Sequence, residues 1–259
     1  MAAALIGGLL RTGTPASALH IAEPLAERRD WLRTQFGVPV VEHAGALPAT
    51  QVLVLAVKPQ QIAEAIAALK PAAGTVVISI VAGLRLATLR RLLGSSVQLV
   101  RTMPNTPALL GAGVTGLFAP ADTTPEARAL TETLLAAAGV SVWVETEDQL
   151  DAVTALSGSG PAYFFRLVEV LRDAGAALGL PPAVAATLAQ HTCLGAARML
   201  AESGRDAGTL RAQVTSKGGT TEAALQSLDR ANLAAIFANA LAAADARAKA
   251  LGDALDRPV

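Results

Sequence analysis

The stretch "QVLVLAVKPQ", residues 51–60, decides how the rest of the chain is read. Its first seven residues form a nearly continuous apolar run, as expected of a strand buried on both faces inside a parallel sheet. Lys58-Pro59 then opens a helix, with proline near the first turn. "TVVISIV" (75–81) is a second buried strand, ended by Ala82-Gly83. "SVQLVR" (96–101) is a third, running into "TMPNTP", and "GVSVWVE" (139–145) is another. Upstream, "ALHIA" (18–22) reads as a strand and "LAERRDWLRTQFG" (25–37) as a helix ending at Gly37. Strand, helix, strand at this spacing predicts βαβ units in a doubly wound sheet.

After Asp148 the pattern changes. Residues 150–259 contain no good strand, and Ala, Leu, Gly and charged residues recur at helical spacing. The fold class expected is α/β followed by all-α, with the boundary at 148/149. Residues 1–148 form the first domain and residues 149–259 the second.

Composition narrows the function. The chain has 259 residues, enough for one or two domains with full cores. Hydrophobic residues make up 52% but aromatics only 3%, and much of the excess is alanine, which suits close-packed helices. The 21 basic and 21 acidic residues cancel, with no basic run, so nucleic acid is not an expected partner. "TVVISIVAGL" is far too short to cross a bilayer, so no membrane association is expected. Cys193 is the only cysteine, which excludes an intramolecular disulfide and points to the cytoplasm. His20, His43 and His191 are scattered without metal-ligand spacing, so no metal is expected.

"GAGVTG" (111–116) fits G-x-G-x-x-G, the pattern of a dinucleotide loop. Such a loop must lie between a strand and a helix, because the pyrophosphate sits on the helix N-terminus. Here "NTPALL" precedes it and "LFAP", a short strand, follows, so it reads as a glycine-rich turn beside a strand. The chain begins with a helix, "MAAALIGGLLRTG", ended near Gly13. The strand and glycine loop expected before that helix are absent, so the sheet is read as lacking its first strand.

Four further stretches, "LAVKPQ" (55–60), "RTMPNTP" (101–107), "DAVTALSGSGPAYFF" (151–165) and "VTSKGGTTEAAL" (214–225), together closely resemble Δ1-pyrroline-5-carboxylate reductase. The resemblance covers essentially the whole chain, in order. It implies a Rossmann-like domain, then a helical domain that interlocks with a second subunit, giving a homodimer or larger homo-oligomer. The implied reaction is hydride transfer from NADPH (or NADH) to the C=N carbon of a cyclic imino acid, making L-proline. In that family a strand and G-x-G-x-M-A precede the first helix. Met1-Ala2 matches the end of that motif, so the expectation is that the natural chain starts upstream or that the first domain folds poorly and binds cofactor weakly. "ALHIA" and "QVLVLAV" would then lack their shared neighbour.

Cofactor contacts are expected at the C-terminal ends of the parallel strands. Ala56, Val57, Lys58 and Pro59 occupy one such end, and Ile80, Val81 and Ala82 the next. By resemblance Asn105 lies near nicotinamide and substrate. Ser216, Gly218, Gly219, Thr220 and Thr221 carry the substrate site by resemblance, and precede or open a helix whose N–H groups suit a carboxylate. Thr221 matches the family threonine whose hydroxyl meets the ring nitrogen, which makes it the catalytic candidate. Thr-Glu there also reads as an N-cap, and both roles can hold at once. Where the family usually has Pro stands Lys217, read as solvated. "SGSGPAY" (157–163) is read as architectural. Glu23, after the second strand, favours a free ribose 2′-hydroxyl, whereas Arg28 and Arg29 suit a 2′-phosphate, so the choice of cofactor stays open.

Two other readings compete. One is a non-catalytic dimerising or binding protein. The other is a two-domain dehydrogenase of a hydroxy acid, which needs a catalytic lysine in the helical domain. Lys217 is the only lysine there before Lys249, in a setting that fits the reductase motif better.

Overall fold

A computed structural model describes residues 1–256. The chain divides into two compact units, residues 1–159 with the segment from Ala243 onward, and residues 160–242.

In the first unit, helix α1 (Ala2–Arg11) leads to strand β1 (Ile21–Ala22), helix α2 (Ala26–Phe36) and strand β2 (Val40–Val41). Then come β3 (Val52–Leu55), α3 (Ile62–Ala67), β4 (Val76–Ser79), α4 (Leu86–Leu93) and β5 (Gln98–Met103). Strand β6 (Gly113–Phe118), α5 (Pro125–Ala136), β7 (Gly139–Trp143) and α6 (Gln149–Val153) complete the run, and α6 continues into a π-helical turn, Thr154–Gly158. Helix α2 stops where Gly37 turns left-handed at φ 65°, as the sequence predicts. After Lys58 the chain makes a 3₁₀ turn, Pro59–Gln61, before α3.

Two sheets form. Strands β1 and β2 make a parallel pair, Ile21 opposite Val40. The larger sheet has the order β3-β4-β5-β6-β7. Neighbours run parallel except β5 and β6, which are antiparallel. Strand β1 therefore pairs with β2 and β3 with β4, and no ladder joins β1 to β3 among the described residues. The two sheets are separate, as expected of "ALHIA" and "QVLVLAV". Helices cover both faces. Leu55, Ile62, Ile66, Val77, Leu84, Leu89 and Leu99 form a core with α3 and α4. Ala4 and Leu5 of α1 pack with Ala108, Leu117 and Leu135 on the other. Ile6 of α1 meets Leu32, Val38 and Val40, which ties the small sheet to the same helix. Gly8 is required here, because a Cβ at that position would lie 2.2 Å from the Ala137 carbonyl oxygen.

"GAGVTG" differs from the sequence reading. Only Gly111 is a turn residue, with φ 70°, and Gly113 already begins β6. The strand starts early because Gly113 already pairs with Gly139 of β7, and its glycines stand where side chains would not fit. A Cβ on Gly113 would meet Ala108 backbone at 2.9 Å, and one on Gly116 would meet Val153 at 2.6 Å.

The second unit is helical: α7 (Gly160–Ala177), α8 (Pro182–Glu202), α9 (Ala207–Gln213), α10 (Thr220–Arg230) and most of the first half of α11 (Leu233–Asp256). The compact boundary falls later than 148/149. Leu150, Asp151 and Ala155 are buried in the first unit, as are Ala248 and Gly252 of the returning end of α11, so packing extends that unit past the last strand. Among the described residues, no helix is long and apolar enough to cross a membrane.

Candidate active site

The parallel register of β3 and β4 sets Leu55 opposite Ser79. Residues 56–59 and 80–82 therefore leave the sheet at the same end, side by side, and the Ile80 N–H donates to the Leu55 carbonyl at 3.1 Å. Ala56, Lys58 and Ala82 are exposed there, and Val57, Pro59 and Ile80 are half-buried. Two exposed alanines thus stand at adjacent carboxyl ends of parallel strands, where sheets of this kind take their ligands. Val81 is different. Its side chain is 2% exposed and belongs to the core, while its N–H donates to Ser79 Oγ at 3.3 Å. Its carbonyl accepts from Leu84 N–H at 3.3 Å.

Asn105 is held at both ends of its amide, which keeps one N–H and one lone pair to spare. Its side-chain carbonyl accepts from Val114 N–H at 3.0 Å, and its amide donates to the Ser157 carbonyl at 3.1 Å. It pins the end of β5 to β6 and to the π-helical turn after α6. In that turn a Cβ on Gly158 would lie 2.7 Å from the Met103 methyl, which agrees with an architectural "SGSGP".

Around β1 the charged residues have separated. The Glu23 carboxylate accepts from Leu25 N–H at 3.0 Å. Arg29 donates to the carbonyls of Glu23 and Pro24, at 3.1 and 2.7 Å, and pairs with Glu42 at 3.7 Å. Arg28 instead lies over the Trp31 ring, 3.8 Å from its centroid, and lines an open cavity of 490 Å³ with Leu25, Ala26, Glu27 and Trp31. Arg29 is thus committed to its own loop, and Arg28 presents its charge to the cavity.

The "SKGGTT" loop lies in the second unit. Gly218 has φ 74°, and Gly219, rather than a threonine, is the N-cap of α10. No side chain caps the helix from that position. A Cβ on Gly219 would sit 2.6 Å from Ser216 Oγ, so the loop can close only around glycine. Glu222 reaches back, its carboxylate accepting from Gly218 N–H at 2.7 Å. Thr220, Thr221 and Glu222 open the helix, where backbone N–H groups have no acceptor four residues earlier. Ser216 and Lys217 are exposed, whereas Thr221 is half-buried. Thr221 also lines a cavity of 340 Å³ whose other walls include Met199, Leu200, Leu210, Val214 and Leu225. One residue therefore belongs both to the first turn of a helix and to the wall of an apolar pocket.

Two ionic clusters escaped sequence reading, because nothing local announces them. Arg101, its side chain 5% exposed, contacts Glu147 at 3.0 Å and Asp151 at 3.6 Å. Glu147 also accepts from Leu86 N–H at 2.8 Å, capping α4. Burial pushes the Asp151 carboxyl above its ordinary range, although Arg101 pulls it back. The second cluster joins Arg85 and Thr88 to Asp253 and Asp256.

Comparisons with known proteins agree with this geometry. Residues 147–251 match the family described as pyrroline-5-carboxylate reductase dimerisation. Residues 1–83 match the family described as NADP oxidoreductase, coenzyme F420-dependent. Pyrroline-5-carboxylate reductase of Pseudomonas aeruginosa is 43% identical over 258 residues, covering 98% of this chain and 94% of that protein. The solved pyrroline-5-carboxylate reductase of Coxiella burnetii is 39% identical, with a TM-score of 0.90 over 96% of this chain and 94% of that one. The Plasmodium falciparum pyrroline carboxylate reductase, solved with NADP bound, is 27% identical with a TM-score of 0.82, again over 96% and 94%. A chain so similar over nearly its whole length is a member of the pyrroline-5-carboxylate reductase family.

Proposed function

We propose that this protein reduces 1-pyrroline-5-carboxylate to L-proline with NADPH or NADH, the last step of proline synthesis. The observation that carries the reading is the double placement of Thr221, in the first turn of α10 and in the wall of an apolar cavity. The pyrroline ring needs apolar walls for its methylenes. Its carboxylate needs N–H donors, which the first turn supplies. Its ring nitrogen needs one hydroxyl partner, and Thr221 provides it. Ser216, Gly218, Gly219 and Thr220 shape the turn around the carboxylate. Lys217, exposed, stays solvated.

When bound, the reduced nicotinamide supplies the hydride. Ala56, Val57, Lys58, Pro59, Ile80, Ala82 and the backbone of Val81 form the edge against which that ring is held. Asn105, held in place by Val114 and Ser157, lies near the nicotinamide and substrate. A protonated imine is already electrophilic, so alignment supplies most of the acceleration and no strong base is required. Arg28 is the guanidinium placed to meet a 2′-phosphate, which favours NADPH.

By function we divide the chain into a dinucleotide-binding part, residues 1–148, and a substrate and dimerisation part, residues 149–259, although compact packing carries the first unit on to Ser159. The protein works as a homodimer or larger homo-oligomer in the cytoplasm, a location that suits its single cysteine. No observation favours a non-catalytic role, and Lys217, exposed on its loop, does not fit the hydroxy-acid reading.

The test follows NADPH oxidation and proline formation with 1-pyrroline-5-carboxylate. Thr221→Val should lower kcat/KM by about 10- to 100-fold through loss of one hydrogen bond to a charged group, with Thr221→Ser largely restoring it. An unaltered protein that makes no proline would end this reading.

A further inference from the structure

The loop that follows β4 is gripped by the far end of the chain. Arg85 Nη2 donates to Asp253 Oδ1 at 2.6 Å, and Arg85 Nη1 donates to Asp256 Oδ2 at 2.6 Å. Thr88 Oγ1 donates to the other oxygen of Asp256 at 2.7 Å. A closer contact lies beside them. Gly83, at φ 76°, comes so near that a Cβ on it would lie 3.2 Å from Gly252 N and 3.3 Å from Gly252 Cα. A Cβ on Gly252 would in turn lie 3.3 Å from the Gly83 carbonyl and 3.5 Å from Arg85 Nη2. Two side-chain-free positions thus let the backbones approach, and two carboxylates take both arms of one guanidinium. Both sides of this clasp belong to the same compact unit.

Residues 80–82, directly before Gly83, are the edge assigned to the nicotinamide. The loop between β4 and α4 is also held from beneath by the buried side chains of Val81 and Leu84, and by two bonds from backbone N–H groups. Leu84 N–H reaches the Val81 carbonyl at 3.3 Å, and Leu86 N–H is capped by Glu147. We propose that Gly252, Asp253 and Asp256 are positioning residues for hydride transfer, setting the Ile80–Ala82 edge through Gly83, Arg85 and Thr88. They touch neither ring nor substrate. Their effect passes through a loop whose displacement misaligns donor and acceptor, and alignment is the main source of rate in this reaction. The inference rests on the placement of the nicotinamide proposed above.

The experiment uses the full-length protein with the double substitution Asp253→Asn and Asp256→Asn, and separately Asp256→Glu. Three quantities are read: hydrogen exchange of residues 80–88 without cofactor, the NADPH Kd from nicotinamide fluorescence, and the isotope effect on kcat with deuterated NADPH. The double variant should exchange faster in that loop, bind NADPH about tenfold more weakly and show a larger isotope effect, while Asp256→Glu should recover most of the change. If the double variant does not fold, Thr88→Val, which removes one bond of the clasp, should shift the same three quantities in the same direction by less. A fall in kcat with loop exchange, Kd and isotope effect unchanged would overturn the proposal, because lost active protein produces that pattern. If the unaltered protein makes no proline, the functional reading itself fails. If it is active and the variants leave all three readouts unmoved, only the clasp fails.

Discussion

The two compact units spend their apolar residues in opposite ways. In the first, Val77, Ile78, Leu84, Leu89 and Leu99 are fully buried between sheet and helices. In the second, large apolar side chains stand in the open: Phe164, Phe165, Val170, Leu171, Leu188, Met199 and Phe237 are all exposed, Phe165 by 66%. Exposed apolar surface on this scale marks a protein interface. The difference teaches that the first unit closes a core with its own chain, whereas the helical unit has its core completed by another copy, as its dimerisation family implies.

The sharpest way to break this comparison is one substitution in each unit. Leu89→Ala in the first should cost about 2–5 kcal/mol, read by denaturant unfolding and independent of protein concentration. Phe165→Asp in the second should instead remove about 1.5–3 kcal/mol of assembly per chain. Light scattering should then show smaller particles at micromolar concentration, with a melting temperature that rises with concentration. If Leu89→Ala behaves as the concentration-dependent one, the contrast is wrong.

A smaller effect tests the charge inside the first unit. Burial raises the folded pKa of Asp151 above its unfolded value, so its ionised form is disfavoured by folding. That penalty is present in full above the folded pKa and disappears as pH falls below the unfolded one. The contribution of Asp151 therefore becomes more favourable as the protein is acidified through that window, and Asp151→Asn should flatten this part of the stability curve without destabilising the protein at neutral pH. A neutral-pH loss of stability on that substitution would show that the pair with Arg101 outweighs burial.

Sequence alone gives the elements whose causes are local. Valine and isoleucine runs mark β3 and β4, Gly37 ends α2, and the unbroken helical spacing after 150 marks the second unit. The missing ladder between β1 and β3 was legible from the helix that opens the chain. The loop before α10 was legible from its glycines, although its cap was not. Gly219 rather than a threonine holds that position, because Ser216 Oγ leaves no space for a side chain there. What stayed hidden depends on partners remote in sequence. The bonds of Asn105 to Ser157 and Val114 could not be read from the motif. Val81 reads as a strand-end contact until the core takes its side chain. Arg85 lies 168 residues from Asp253, and no periodicity spans that distance.

The glycines of residues 111–116 have a consequence of another kind. Each is demanded by a different circumstance: a left-handed turn at Gly111, the Ala108 backbone at Gly113, and Val153 at Gly116. No shared task links them, yet none can drift alone without a clash or strain. Packing will therefore preserve a nucleotide-loop spelling in a place that holds no nucleotide loop. Any search by letters will find this false signal for as long as the fold itself persists.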